Sequence, residues 1–148
     1  MPPRSDRRGG KSRARVGATA CVVLLALLII PFCALCKLSG FLDWRGVAGY
    51  ACVISLGMWF LYRKDKQQAE AGGWRTPEVT LHAIEVFGGW PAAFLAQRWY
   101  RHKIAKRIYQ INFWAIVVLH QFVAFDYLQD WRFSQAALAR LNPEQLFN

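Results

Sequence analysis

Hydrophobic positions dominate three stretches of the chain, and each has the length of a membrane crossing. From Val16 to Cys36 no residue is charged, and at a rise of 1.5 Å per residue those 21 positions make a helix of about 31 Å, against a hydrocarbon core of about 30 Å. A second uncharged run, Gly46 to Tyr62, carries Gly49, Ser55 and Gly57 for close helix approach and ends in Trp59, Tyr62 and Arg63, as at a membrane interface. A third, Tyr109 to Leu128, is rich in Phe, Trp, Val and Ile and meets an acid, Asp126, only near its end. The pattern predicts an all-α, small polytopic membrane protein with transmembrane helices over 16–36, 46–62 and 109–128. The short Lys37–Arg45 connection predicts an antiparallel hairpin of the first two.

The stretch over residues 77–100 is long enough to span but breaks the pattern. It holds Glu78, His82 and Glu85 and is interrupted by Gly88-Gly89-Trp90-Pro91. Arg63, Lys64, Lys66 and Arg75 precede it, and Arg98, Arg101, Lys103, Lys106 and Arg107 follow. Basic residues favour the cytoplasmic side, so both flanks want the same face. A broken hairpin that enters and returns satisfies that demand, with the Gly-Gly turn deepest and Pro91 opening the returning helix. A plain fourth span is the alternative. The first reading puts the N-terminus in the cytosol and the tail outside; the second puts both inside.

Composition agrees with membrane residence and adds charge. Of 148 residues 55% are hydrophobic and 15% aromatic, while 19 Lys+Arg against 9 Asp+Glu give a net charge of +10. So apolar a chain is neither an ordinary soluble domain nor a disordered nucleic-acid tail. Residues 1–15, with six basic residues against Asp6, read as a disordered basic arm suited to anionic lipid. Residues 129–148 read as an amphipathic tail with Phe133, Ala137, Leu138 and Leu141 on its apolar side. Cys21, Cys33, Cys36 and Cys52 sit in or beside the apolar runs, which suits packing and argues against a disulfide framework.

Candidate chemistry concentrates around the broken segment. Glu78, His82 and Glu85, spaced i, i+4, i+7, share one helix face if a helix starts at Pro77. Ionisable side chains in a membrane need a cavity or partners, and Arg75, Arg101, His102, Lys103 and Lys106 are the expected ones. The face is either a polar site at the cytosolic membrane surface or an internal cluster holding the hairpin shut. A metal half-site is not expected, because no Glu-x-x-His on another helix matches it. His120 beside Gln121 reads as a packed, hydrogen-bonded residue. No nucleophile elbow, Walker loop or dinucleotide fingerprint occurs, and no particular cofactor is implied. Arg98-Trp99-Tyr100-Arg101-His102-Lys103 fits an interface belt and suits phosphate headgroups; nucleic acid is not an expected partner.

The same residues carry a family resemblance. Asp65-Lys66-Gln67-Gln68-Ala69, then Arg75-Thr76-Pro77-Glu78-Val79-Thr80-Leu81-His82, then Gly88-Gly89-Trp90-Pro91, then Ala96-Gln97 and Arg101-His102-Lys103 follow in an order that resembles the small membrane proteins of domain of unknown function 1294. Ala92 stands where that family usually has Gly, and Ile104 where a hydroxyl residue often follows the Lys. The resemblance implies flanking transmembrane helices and points to no established activity. We expect a non-enzymatic membrane protein whose motif residues form a polar core and contact anionic lipid headgroups. A small enzyme acting on a lipid-linked or phosphorylated substrate, with Glu78 or His82 as acid/base, is the first alternative. The second is a transporter component, which would have to be a homo-oligomer.

Overall fold

The computed structural model describes residues 16–73 and 76–141, and the basic arm, Trp74, Arg75 and the last seven residues lie outside it. The regular structure among the described residues is all helical: α1 Ala18–Leu38, α2 Trp44–Glu70, α3 Glu78–Ile84, α4 Trp90–Tyr100, α5 Arg107–Leu128 and α6 Arg132–Leu141. The all-α expectation holds, and one unbroken helix covers most or all of each of the three predicted spans. Boundaries differ most for α2, which runs eight residues past Tyr62. Its charged last two turns carry no apolar stripe, so hydropathy ended the prediction early, while helix-favouring Lys, Gln, Ala and Glu continue the backbone.

Four stretches are long and apolar enough to cross a membrane, Glu78–Tyr100 being the fourth. That stretch nonetheless enters the bundle and comes back. A straight helix over its 23 residues would be about 34 Å long. Yet Lys103, just past its end, lies 3.5 Å from Glu78 at its start. The reversal sits where the Gly-Gly pair predicts it: α3 passes through a wide turn, Glu85–Gly89, in which Gly88 takes φ 96°, a left-handed value that side chains resist. Gly89 is needed for a different reason, since a Cβ there would stand 2.8 Å from the Ile84 carbonyl oxygen. Pro91 is the second residue of α4, where its missing N–H leaves no bond unmade.

The hairpin lies against α2 on one side and α5 on the other. The Thr76 N–H donates to Asp65, the Tyr62 hydroxyl to Glu85 and the Tyr50 hydroxyl to the Phe87 carbonyl. Descending through α3 therefore means moving back along α2. The return follows α4, where Gln97 reaches Tyr62 again. Helix α1 departs from expectation: its packing partner is α5, not α2. Gln121 donates to the Leu27 carbonyl, and Lys37 bonds Asp130 at 2.6 Å and the Tyr127 and Leu128 carbonyls. A short loop fixes direction, but side-chain fit chose the neighbour.

The core is Met58, Tyr62, Leu81, Trp90, Ala93, Phe94, Ala96, Tyr109, Phe113 and Val117, all in the half of the bundle that holds the hairpin, with Leu24 of α1 added. Exposed Val22, Ile29, Phe32, Val53, Leu56, Phe60, Val118 and Phe122 cover the outside, whereas Asp65, Glu85, Gln97 and Asp126 are buried. An apolar exterior around a core that also buries three carboxylates and an amide departs from the pattern of a water-soluble bundle.

The predicted tail helix appears as α6, with no buried residue. Asp126 anchors its start, accepting the Phe133 and Ser134 N–H groups and the Ser134 hydroxyl. Asp126→Ala should therefore cost about 1–2 kcal/mol, as for loss of an N-terminal cap. Hydrogen exchange should show the loss confined to residues 132–141; faster exchange across α5 as well would contradict a local anchor.

Candidate functional site

The two ends of the hairpin and the last turns of α2 meet at one end of the bundle, and charge gathers there. Asp65, one turn past Tyr62, accepts from the Thr76 N–H at 3.1 Å and lies 2.9 Å from both His102 Nε2 and Lys103 Nζ. Glu78, the first residue of α3, accepts from Lys106 Nζ with both oxygens, at 2.9 and 2.8 Å. Two carboxylates thus clamp the loop between α4 and α5. Arg101 and Lys103 adopt left-handed φ of 48° and 62°, a conformation worth roughly 1–2 kcal/mol of strain per residue. Lys103, with a side chain only 9% exposed, is held in it by its two acids.

A cleft of about 970 Å³ opens here, lined by Asp65, Thr76, Glu78, Arg101, His102 and Lys106 among others. Its walls are unequal in charge satisfaction. Lys103 and His102 are engaged by Asp65, whereas Lys106 keeps 54% of its side chain exposed beside Glu78. Arg101 is exposed and has no carboxylate partner among the described residues.

Beneath the cleft lies a second polar group, whose centre is sealed from solvent. Glu85 is fully buried and accepts from Tyr62 at 3.0 Å and Tyr109 at 2.7 Å, while its other oxygen meets His82 Nδ1 at 2.7 Å. Gln97 donates to Tyr62, and Gln110 donates to Gln97 at 2.6 Å. The His82 ring stacks on Tyr109 with centroids 4.3 Å apart. Lys103 Nζ stands 4.9 Å from the centroid of the same tyrosine ring, joining this network to the cleft. His82 Nε2 is buried with no hydrogen-bond partner among the described residues.

The residues singled out in the sequence therefore divide into two groups. Asp65, Glu78, Arg101, His102, Lys103 and Lys106 converge on the cleft; His82, Glu85 and Gln97 belong to the sealed network. The shared face of Glu78, His82 and Glu85 does not act as one unit, because Glu78 turns to the lysines while the other two bond each other. Lys66 lies apart, 3.7 Å from Glu70 on the α2 surface. Gly88, Gly89, Trp90 and Pro91 form the turn and the opening of α4. Arg75 lies outside the described residues. His120 bonds the Ile116 carbonyl of its own helix. Tyr62, Thr76, Tyr109 and Gln110 were not anticipated as site residues. The hairpin's symmetry held the signal for the tyrosines, since they end one span and begin the next at the depth where Glu85 must find donors.

An all-helical bundle with an apolar exterior, buried acids, a charged cleft at one end and four stretches long and apolar enough to cross a bilayer has the make-up of a multi-pass membrane protein. Within it, residues 55–109 match the model of the family described as protein of unknown function DUF1294. That match bears out the resemblance in the motif residues and covers the second half of α2, the hairpin and the start of α5. No curated protein and no solved structure matches the chain.

Proposed function

We propose that this is a non-enzymatic membrane protein whose reversing hairpin presents a basic cleft, at the cytosolic membrane face, to the phosphate of an anionic lipid headgroup. The observation that carries the reading is the imbalance of the cleft: the acids are committed to Lys103, His102 and Lys106, and Arg101 lines the cleft exposed, with no carboxylate partner among the described residues. Arg offers a planar fork for phosphate oxygens. The acids fix the loop's shape and keep the remaining positive charge at the rim. Placing this end in the cytosol follows the concentration of basic residues in both flanks of the hairpin.

The same geometry disfavours an acid/base role for Glu78, whose two oxygens both accept from Lys106. It equally disfavours His82 as a base for an outside substrate, since its one open nitrogen is buried. The test is native mass spectrometry of the full chain titrated with phosphatidylglycerol or phosphatidylcholine in detergent. Wild type should keep a stoichiometric phosphatidylglycerol adduct, and Arg101→Ala with Lys106→Ala should weaken it tenfold or more without lowering the melting temperature by more than a few degrees. Equal retention of the two lipids, or an unchanged adduct in the double variant, sinks the reading. The same spectra give the protomer number and so decide the homo-oligomer that transport would require.

A further inference from the structure

The end of the bundle opposite the cleft holds the chain in a bend that it would not take unaided. Asp130 and Trp131, between α5 and α6, both have left-handed φ, 55° and 62°, values that residues with a Cβ avoid. Two acids hold them there. Asp130 pairs with Lys37 of α1 at 2.6 Å, and Asp126, buried in α5, accepts from the Phe133 and Ser134 N–H groups. The direction in which α6 leaves is therefore fixed, yet it leads to no protein surface. Among the described residues its hydrogen bonds to the bundle end at Ser134, and Leu138 and Leu141 stay 65% and 80% exposed.

We propose that α6 is an in-plane anchor, which lies in the headgroup region of the bilayer face opposite the cleft with its apolar side on the acyl chains. This rests on the bundle crossing a bilayer and not on the ligand of the cleft. By helical periodicity Phe133, Ala137, Leu138 and Leu141 share one side of α6, and Arg132, Gln135 and Arg140 occupy the rest.

Three observations select lipid over a protein partner, and depth is the first. Helix α5 has 22 residues, about 33 Å of helix against a hydrocarbon core of about 30 Å. A chain that enters the bilayer beside the cleft at Lys106 therefore emerges at the other face where α6 begins. The second is continuity. The Phe133 and Phe125 ring centroids are 5.8 Å apart, and Phe125 belongs to the exposed apolar exterior, so the apolar side of α6 extends a surface already suited to acyl chains. The third is charge. Helix α6 carries two arginines and no acid, and the Lys37 ammonium, the Tyr127 ring and the Trp131 ring gather at its start. Basic and aromatic side chains at one level suit the phosphate and carbonyl region of a membrane. The protein thus grips the bilayer at both faces, and α6 limits how deep α5 can sink.

The full chain is placed, one copy per disc, in nanodiscs of phosphatidylcholine doped with a phosphatidylcholine that carries a photoactivatable diazirine on its acyl chain. After irradiation, peptide mass spectrometry should find adducts on Phe133, Leu138 and Leu141 and not on Arg132 or Gln135. Phe122 of α5 is the internal standard for lipid contact. Leu138→Gln with Leu141→Gln should lower the labelling of α6 about fivefold and leave Phe122 unchanged, while amide exchange over residues 135–141 quickens about tenfold. Exchange in α5 should not move, since α6 has no buried residue. Should α6 unwind in the double variant, the wild-type labelling pattern decides by itself. An unlabelled α6 beside a labelled Phe122, or labelling spread evenly around the helix, overturns the proposal. So does protection of α6 that appears only in discs holding two copies, which would assign the face to a second copy of the chain.

Discussion

One methyl group at Gly89 is expected to destabilise the protein by about 3 kcal/mol, the upper part of the usual cost of forcing extra volume into a packed core. A Cβ there would meet the Ile84 carbonyl oxygen at 2.8 Å, the Ile84 side chain at 3.0 Å and the Met58 methyl at 3.1 Å. Met58 can shift, but the carbonyl is backbone at the end of α3, so relief would require the reversal itself to widen. Gly88→Ala is the internal comparison. Its φ of 96° disfavours any side chain, yet nothing lies within 4 Å of its Cβ position, so only the backbone cost of about 1–2 kcal/mol applies. Thermal unfolding in one detergent should rank Gly89→Ala below Gly88→Ala, and both below wild type. The opposite order would mean that the tight approach of the hairpin to α2 is wrong.

Asp65→Ala is the second large effect. The carboxylate is almost fully buried and holds Lys103, His102 and the Thr76 N–H. Breaking a buried pair from one side costs roughly 3–5 kcal/mol, because the other charge stays buried without compensation. The low end applies here, since Glu78 remains 3.5 Å from Lys103 and the cleft admits water. Lys103→Met added to Asp65→Ala should recover part of the loss, as removing both charges removes the penalty. A double variant no more stable than Asp65→Ala alone would show that Asp65 acts through Thr76 and His102 instead.

Much of this architecture was legible in the sequence because membrane spans are read from length and charge. The run from Val16 to Cys36 needs no tertiary information to become α1, and basic residues on both sides of 77–100 favoured a return over a plain fourth span. The neighbours of each helix were not legible in that way. Nothing in the Lys37–Arg45 loop indicates that α1 prefers α5, a choice made by Gln121 reaching the Leu27 carbonyl and by Lys37 closing over the end of α5. Within the site, helical spacing put Glu78, His82 and Glu85 on one face; in the structure His82 and Glu85 bond each other while Glu78 turns to the lysines. Spacing could not divide the face between the cleft and the sealed network, because the division depends on which atoms α2 and α5 supply. Tyr62 and Tyr109 read as ordinary interface aromatics until the hairpin's depth brought Glu85 between them.

The arrangement of Glu85 between α2 and α5 also sets an order of assembly during synthesis. Tyr62 leaves the ribosome 23 residues before Glu85, and Tyr109 follows 24 residues after it. When the hairpin first emerges, therefore, its buried acid has one of its two phenols and nothing on the other flank. An isolated acid is poorly tolerated in lipid, so the segment has reason to wait at the membrane surface until α5 has been threaded. The first two helices can be inserted as they are made. On the proposed membrane placement the hairpin would be a late arrival, since the slot it fills needs α5 as well as α2, and a nascent chain stalled before Tyr109 would carry the motif with its centre unbuilt.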